Sequence, residues 1–390
     1  MLKFIKNLEG CPLATDKITI LLLGGYGNVG KRLSALLAKM FDVKILVAGR
    51  HLPLAEEWVK QILLQDPKAD VQPYVIDWQS PDFFEQCQKS EARILINLAG
   101  SFKHENYIVV NTCIELNMHY VDLADSREFV SGFSQFDIRA KEHNVVAITG
   151  AGIVPGISTV VIDHFASQYA ILREIDFGIV LGNKIKSGKA LVNSVLNDVG
   201  KPFQRLENGM WKTVYGWQNI HRHYYGDNIG LRWHATSDIP DLTLLPNRYP
   251  TLKTTVFHTG LESSWMHFLL RGLSTLRRIH LVRNWERYTK ILMKMSSWFN
   301  YLGTDTFAMT IHLSGSNQRF QPLDINWTCV AEQGHGANMA CVAMLILVEK
   351  LLKNEIEPGA KPCVAMFSLE ELYDMLSHWQ VYHTVEEREL

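Results

Sequence analysis

Three glycines, Gly25, Gly27 and Gly30, stand in G-x-G-x-x-G spacing within Gly24-Gly-Tyr-Gly-Asn-Val-Gly30. This is the spacing of a chain that brings its backbone against a diphosphate. The first glycine permits a tight turn and the second keeps side chains away from the pyrophosphate. The third lets a helix pack closely on its strand. Unpaired N–H groups at the start of that helix then face the phosphates, with Tyr26, Asn28 and Val29 filling the loop. Downstream, Val47-Ala-Gly-Arg-His51 contains no acid. An Asp or Glu there would bind the ribose 2′-hydroxyl of NAD. Arg50 instead offers a planar fork for a 2′-phosphate, with His51 to assist, so NADP(H) is expected over NAD. A solvated arginine at a strand end is the alternative.

The surrounding elements suit that chemistry. An apolar strand, Ile18 to Leu23, precedes the glycines, a helix from Lys31 follows, and a second strand, Val43 to Ala48, closes a βαβ unit. Strand-like and helix-like runs go on alternating to Asn144-Val-Val-Ala-Ile-Thr149, about six strands in all. The pattern predicts an α/β fold, a Rossmann-type doubly wound parallel sheet over residues 1–156. After Gly150-Ala-Gly-Ile-Val-Pro-Gly156 a linking helix is expected over Ser158 to Ala170. Short alternating runs such as Ile175 to Leu181, Thr254 to Thr259 and Ala308 to Leu313 then predict a second, α+β domain over 157–330. Its sheet should be largely antiparallel. The apolar helix Met339 to Leu352 lies in a C-terminal segment, about 331–390, expected to pack back on the first domain.

The whole composition narrows the classes of function. With 390 residues the prior is two domains, and 47% hydrophobic with 20% charged residues fits a folded globular chain. A formal net charge of −1 and a pI near 6.9 give no reason to expect nucleic acid as a partner. Six cysteines without C-x-x-C spacing read as buried thiols of a reducing compartment. Glu9 and Asp16 interrupt any leader-like apolar core, and no run reaches the ~18–20 apolar residues of a membrane span. A cytoplasmic protein is expected.

Further candidates lie beyond other strands. Ala99, Gly100, Ser101 and Phe102 follow Arg93-Ile-Leu-Ile-Asn-Leu98, at the strand end where such sheets bind ligands. Asp77, before Trp78, either borders an adenine or caps a helix. Asp122 and Asp125 follow Tyr120. Asp125 is the candidate for proton transfer at a reacting nitrogen, and Asp122 for substrate contact. The alternatives are a helix cap at Asp122 and an Asp125–Arg127 surface pair. Lys184 and Arg232 are candidate partners for substrate carboxylates. His221 and His223 share a strand face, but no neighbouring Cys or carboxylate completes a metal shell, so none is expected. Residues 264–301 combine seven Lys and Arg with a single Glu and interleaved Trp and Phe. Such a stretch is either an ordinary amphipathic helix or a peripheral contact with a membrane or partner.

These motifs together resemble the saccharopine dehydrogenase family, in its saccharopine reductase-like members. The resemblance rests on Gly24 to Gly30, Ala48-Gly-Arg50, Asn97-Leu-Ala-Gly-Ser-Phe102, Tyr120-Val-Asp-Leu-Ala-Asp-Ser-Arg-Glu-Phe129, Gly150 to Gly156, and a fainter Gly359-Ala-Lys-Pro-Cys363. It is strong in the N-terminal half and general over 171–330. Ser101 stands where the family usually carries proline, beside the expected nicotinamide ribose. The resemblance implies an NAD(P)-dependent oxidoreductase acting on a C–N bond of an amino-acid-derived amine, a small-molecule substrate and, by analogy, a homodimer. A reductase of another small carbonyl compound and an NADP-binding scaffold or redox sensor without turnover are the alternatives.

Overall fold

Runs of Val, Ile and Leu without polar alternation suit strands covered on both faces, and the N-terminal half folds accordingly. The computed structural model describes residues 17–100, 102, 107–185, 188–226, 229–297 and 303–389. Six strands come first: β1 (Thr19–Leu23), β2 (Lys44–Gly49), β3 (Val71–Val75), β4 (Ile94–Asn97), β5 (His119–Asp122) and β6 (Val146–Thr149). In the second domain follow β7 (Tyr169–Leu181), β8 (Pro202–Glu207), β9 (Met210–Tyr215), β10 (His221–Tyr224), β11 (Leu231–Thr236), β12 (Thr254–Leu261), β13 (Phe307–Asn317) and β14 (Pro322–Ala331). Late in the chain come β15 (Gly359–Pro362) and β16 (Val381–Glu389).

The first sheet is wholly parallel, in the order β15-β6-β5-β4-β1-β2-β3. Its two faces feed separate cores. Ile20, Leu22, Ile45, Val47 and Ile148 point to one, and Leu21, Leu23, Leu46, Leu95 and Ala147 to the other. The strand order reverses direction between β4 and β1, which opens a crevice at the carboxyl ends of those two strands.

The linking helix is Ser158–Ala166, shorter than the expected run to Ala170. Tyr169 already belongs to β7, where its hydroxyl donates to the Leu313 carbonyl at 2.9 Å. The second sheet runs β10-β11-β12-β7-β13-β14-β16. Five of its six pairings are antiparallel and β12 with β7 is parallel, so the sheet is mixed. Phe177, Phe257, Met309 and Trp327 on one face join the core that also holds the helices Ser158–Ala166 and Val342–Leu352. The C-terminal segment is shared: β15 completes the first sheet, whereas β16 is an edge strand of the second. Three helices, Lys189–Asp198, Ser264–Arg278 and Thr289–Ser297, gather as a cap around Leu196, Trp217, Leu270 and Trp285.

The opposite face of the second sheet is polar. His221, His223, His234, His258 and His312 surround a cavity of about 330 Å³ together with Asp176. His258 Nε2 lies 3.3 Å from Asp176 Oδ1, and the Tyr225 hydroxyl is 2.9 Å from His234 Nε2. The pairing that sequence spacing suggested for His221 and His223 therefore has partners from four other strands. Among the described residues, no group of three His, Cys, Asp or Glu could hold a metal ion. Burial, then the neighbouring imidazoles, push His234 down to about 2. A histidine kept neutral when folded but free to charge near 6.5 when unfolded favours unfolding as pH falls below that value. The stability of the wild type relative to His234→Phe should drop by about 1.4 kcal/mol between about pH 7.5 and 5.5. Denaturant titrations of both proteins at the two pH values check this; parallel profiles would refute a neutral His234.

Candidate functional site

The crevice is built from the glycine loop upward. Gly24 adopts φ +85°, and a Cβ there would lie 3.0 Å from the carbonyl of Leu98, beyond β4. At Gly30 a Cβ would sit 2.3 Å from the Gly24 oxygen, so the helix Asn28–Met40 approaches its strand as only glycine allows. Gly27 precedes that helix in extended conformation, and no side chain caps it. Gly27 and Asn28 are exposed, while Val29 packs against the core. This is an anion cradle: backbone donors at a helix start, unobstructed by side chains. Its shape fits a dinucleotide pyrophosphate.

Tyr26 ties the loop to the end of β2. Its hydroxyl accepts the His51 N–H at 3.0 Å, and its ring lies where a Cβ on Gly49 would be, 2.5 Å away. Arg50 and His51 are exposed beside it. No acid occupies this position, where Arg50 stands instead.

Asp77 mainly serves its own turn. Its Oδ1 accepts the Gln79 N–H at 3.1 Å, and its N–H donates to Gln86 Oε1 at 3.0 Å. Across the crevice, the Ala99 N–H donates to Asn97 Oδ1 at 3.1 Å and Gly100 has φ +109°. Phe102 is buried against Phe129, with ring centroids 5.5 Å apart, so its ring serves the core. Ser101 lies outside the described residues.

Asp122 is wholly buried. Its Oδ1 accepts from the Ala124 and Gly150 N–H groups, each at 2.8 Å, and from Thr149 Oγ1 at 2.9 Å; its Oδ2 accepts from Tyr120 at 2.9 Å. Burial raises its pKa to about 6, against the pull of those four donors. With no surface and four partners, Asp122 binds strand ends together and offers nothing to a substrate. Asp125, three residues on, is half-buried, and its Oδ2 accepts the Ser194 hydroxyl at 2.9 Å. The expected alternative, a surface pair with Arg127, is not formed. Arg127 instead pairs with Asp238 and donates to the Gln204 carbonyl at 2.7 Å, in the second domain.

The cap reaches the same place. A Cβ on Gly188, at the start of the helix Lys189–Asp198, would lie 3.6 Å from Asn28 Nδ2. Lys184 is exposed in the loop just before. Arg232 does not join this group. On β11 it shares the histidine face with His234, because side chains two apart on a strand point the same way. Ser194, Gly188 and Arg127 are the additions. Nothing local in the sequence marks Ser194, 69 residues from its partner, whereas Arg127 stands within the Tyr120 to Phe129 motif.

Residues 20–148 match the saccharopine dehydrogenase NADP binding domain. Saccharopine dehydrogenase (L-Glu forming) from Saccharomyces cerevisiae superposes on 95% of this chain and 100% of its own, with a TM-score of 0.67 at 13% identity. At that identity the likeness is one of fold, and it extends the saccharopine dehydrogenase architecture across both domains. An amine dehydrogenase from Mycobacterium smegmatis overlaps 90% of this chain and 96% of its own at 10% identity, with a TM-score of 0.47. No curated protein sequence matches the chain.

The glycine packing makes a direct prediction. Gly30→Ala forces a methyl against the Gly24 carbonyl, an overpacking that costs about 1–3 kcal/mol. A lower melting temperature and loss of stabilisation by added dinucleotide are expected in thermal melts; an unchanged response to dinucleotide would refute the cradle.

Proposed function

We propose that the chain is an NADP(H)-dependent oxidoreductase that forms or oxidises a C–N bond in an amino-acid-derived amine. The observation that carries the reading is the crevice itself: a glycine cradle whose β2 end presents Arg50 and no acid, in a saccharopine dehydrogenase NADP binding domain. The name of the yeast protein with the same two-domain fold supports the C–N chemistry. When bound, the nicotinamide gives or takes the hydride.

The chain's own residues supply the rest. The N–H groups that follow Gly27 receive the pyrophosphate, and Arg50 forks onto the 2′-phosphate with the exposed His51 beside it. Ala99 and Gly100 let the second ribose lie close to the backbone. Asp125 is the proton carrier at the substrate nitrogen, its Oδ2 steadied by Ser194. Lys184, on the loop beside Gly188, supplies a positive charge for a substrate carboxylate. Gly188 places the start of the cap beside Asn28 of the glycine loop.

Two variants separate these roles. Arg50→Asp should weaken NADPH by about tenfold or more while leaving NADH within about threefold, read by thermal-shift titration. An unchanged preference would overturn the cofactor assignment. Asp125→Asn should lower kcat for the amine substrate by about 10²–10⁴ with NADPH affinity intact. Saccharopine, lysine with glutamate, and polyamine-derived candidates are the first substrates to follow by nicotinamide absorbance. NADPH binding with no turnover on any of them would favour the scaffold reading.

A further inference from the structure

The helix Ser264–Arg278 turns one side to the core and a second, apolar one to solvent. His267, Leu270 and Ser274 are buried. Trp265, Phe268, Gly272, Leu276 and the capping Ile279 follow at intervals of three, four, four and three, which is one face of a helix. The four large ones are 37%, 41%, 37% and 57% exposed, and nothing lies within 4 Å of a Cβ on Gly272. A surface helix ordinarily turns polar residues to that side. Beyond it, Leu281, Tyr288 and Ile291 are exposed as well, at 69%, 45% and 60%. Seven of the 21 exposed large hydrophobic residues among those described thus fall within 27 positions, too dense for chance scatter.

The charge of this segment is equally one-sided. Residues 264–297 hold seven Lys and Arg and one Glu, a net +6 in a chain of net −1, leaving −7 elsewhere. Arg277 is turned inward onto the Asn197 and Val199 carbonyls, and Arg278 lies over the Tyr215 ring. Arg271 on this helix and Arg283, Arg287 and Lys290 after it are exposed. Aromatic and aliphatic side chains ringed by cations suit the boundary between anionic headgroups and acyl chains. A second copy suits it poorly, since a twofold contact would set +6 against +6. Among the described residues no helix is long and apolar enough to cross a bilayer, so the fit is to a surface.

We infer that the cap formed by residues 264–297 docks the protein on an anionic lipid surface, with the stripe Trp265 to Ile279 entering the headgroup layer. The same cap carries the helix Lys189–Asp198, whose Ser194 holds Asp125, so docking sets the crevice close to the lipid. A substrate or product that partitions into lipid would then have a short path to it.

Sedimentation of the full chain with vesicles tests this directly. Phosphatidylcholine vesicles with a one-third share of phosphatidylglycerol should retain at least about tenfold more protein than phosphatidylcholine alone, and high salt should reverse the gain. Leu276→Ser with Ile279→Ser, and separately Arg271→Glu with Lys290→Glu, should each abolish retention while keeping the wild-type melting temperature. Failure to bind the anionic vesicles, or equal binding to both kinds, overturns the inference. So does a stable dimer in light scattering that the serine variant dissociates, which would make the stripe a subunit interface.

Discussion

Asp122 carries a carboxyl group that water does not reach, and every proton it accepts comes from the edge of the sheet it terminates. Its four donors belong to Tyr120, Ala124, Thr149 and Gly150. Desolvation makes the charge costly, and the donors answer that cost only if the exits of β5 and β6 stay in register. The network goes further: Asn97 Nδ2 donates to the Tyr120 hydroxyl at 3.3 Å, and Asn97 Oδ1 receives the Ala99 N–H. Three strand ends are thus bound in one line of hydrogen bonds, and the crevice floor is the product of that line. Asp125 and the passage from Gly150 to Gly156 hang from it.

The two domains meet through a few specific contacts above a common apolar core. Arg127 bonds to Asp238 and to the carbonyls of Gln204 and Ile239, and Asp125 takes the Ser194 hydroxyl; the C-terminal segment adds Asn338, whose Oδ1 accepts from Arg32 at 2.8 Å. Beneath them lies Asp241, wholly buried, receiving the Ser158 hydroxyl, with burial raising its pKa to about 7. Polar joints of this kind fix orientation more than they add stability, because each group gave up water to form them.

The sequence carried the first domain's logic openly, because local rules govern it. Glycine spacing, a strand on either side and an arginine in place of an acid are all read within 35 residues. The parallel β7–β12 pairing was not legible, since it joins segments some 80 positions apart and the alternation of each strand says nothing about direction. The histidine cavity shows the same limit: the spacing of His221 and His223 gave their common face, but their partners came from β7, β11, β12 and β13. Arg232 was a fair candidate by type and fell on the far face by strand parity. Asp122 was a candidate by position, and only its buried surroundings show it to be a brace. Asp125 does not pair with Arg127: it takes the Ser194 hydroxyl, while Arg127 pairs with Asp238.

The edge of the first sheet has a consequence for how the protein is made. β15 lies beside β6 in parallel, yet it is synthesised some 210 residues later, after the entire second sheet except β16. Until Val342 to Leu352 emerge the apolar residues that this helix covers remain open, and until Gly359 to Pro362 follow β6 has one unpaired side. The first domain is therefore begun first and finished nearly last. A ribosome releasing this chain would hold a half-edged sheet for most of elongation, and cutting the gene after the first domain would yield an incomplete fold.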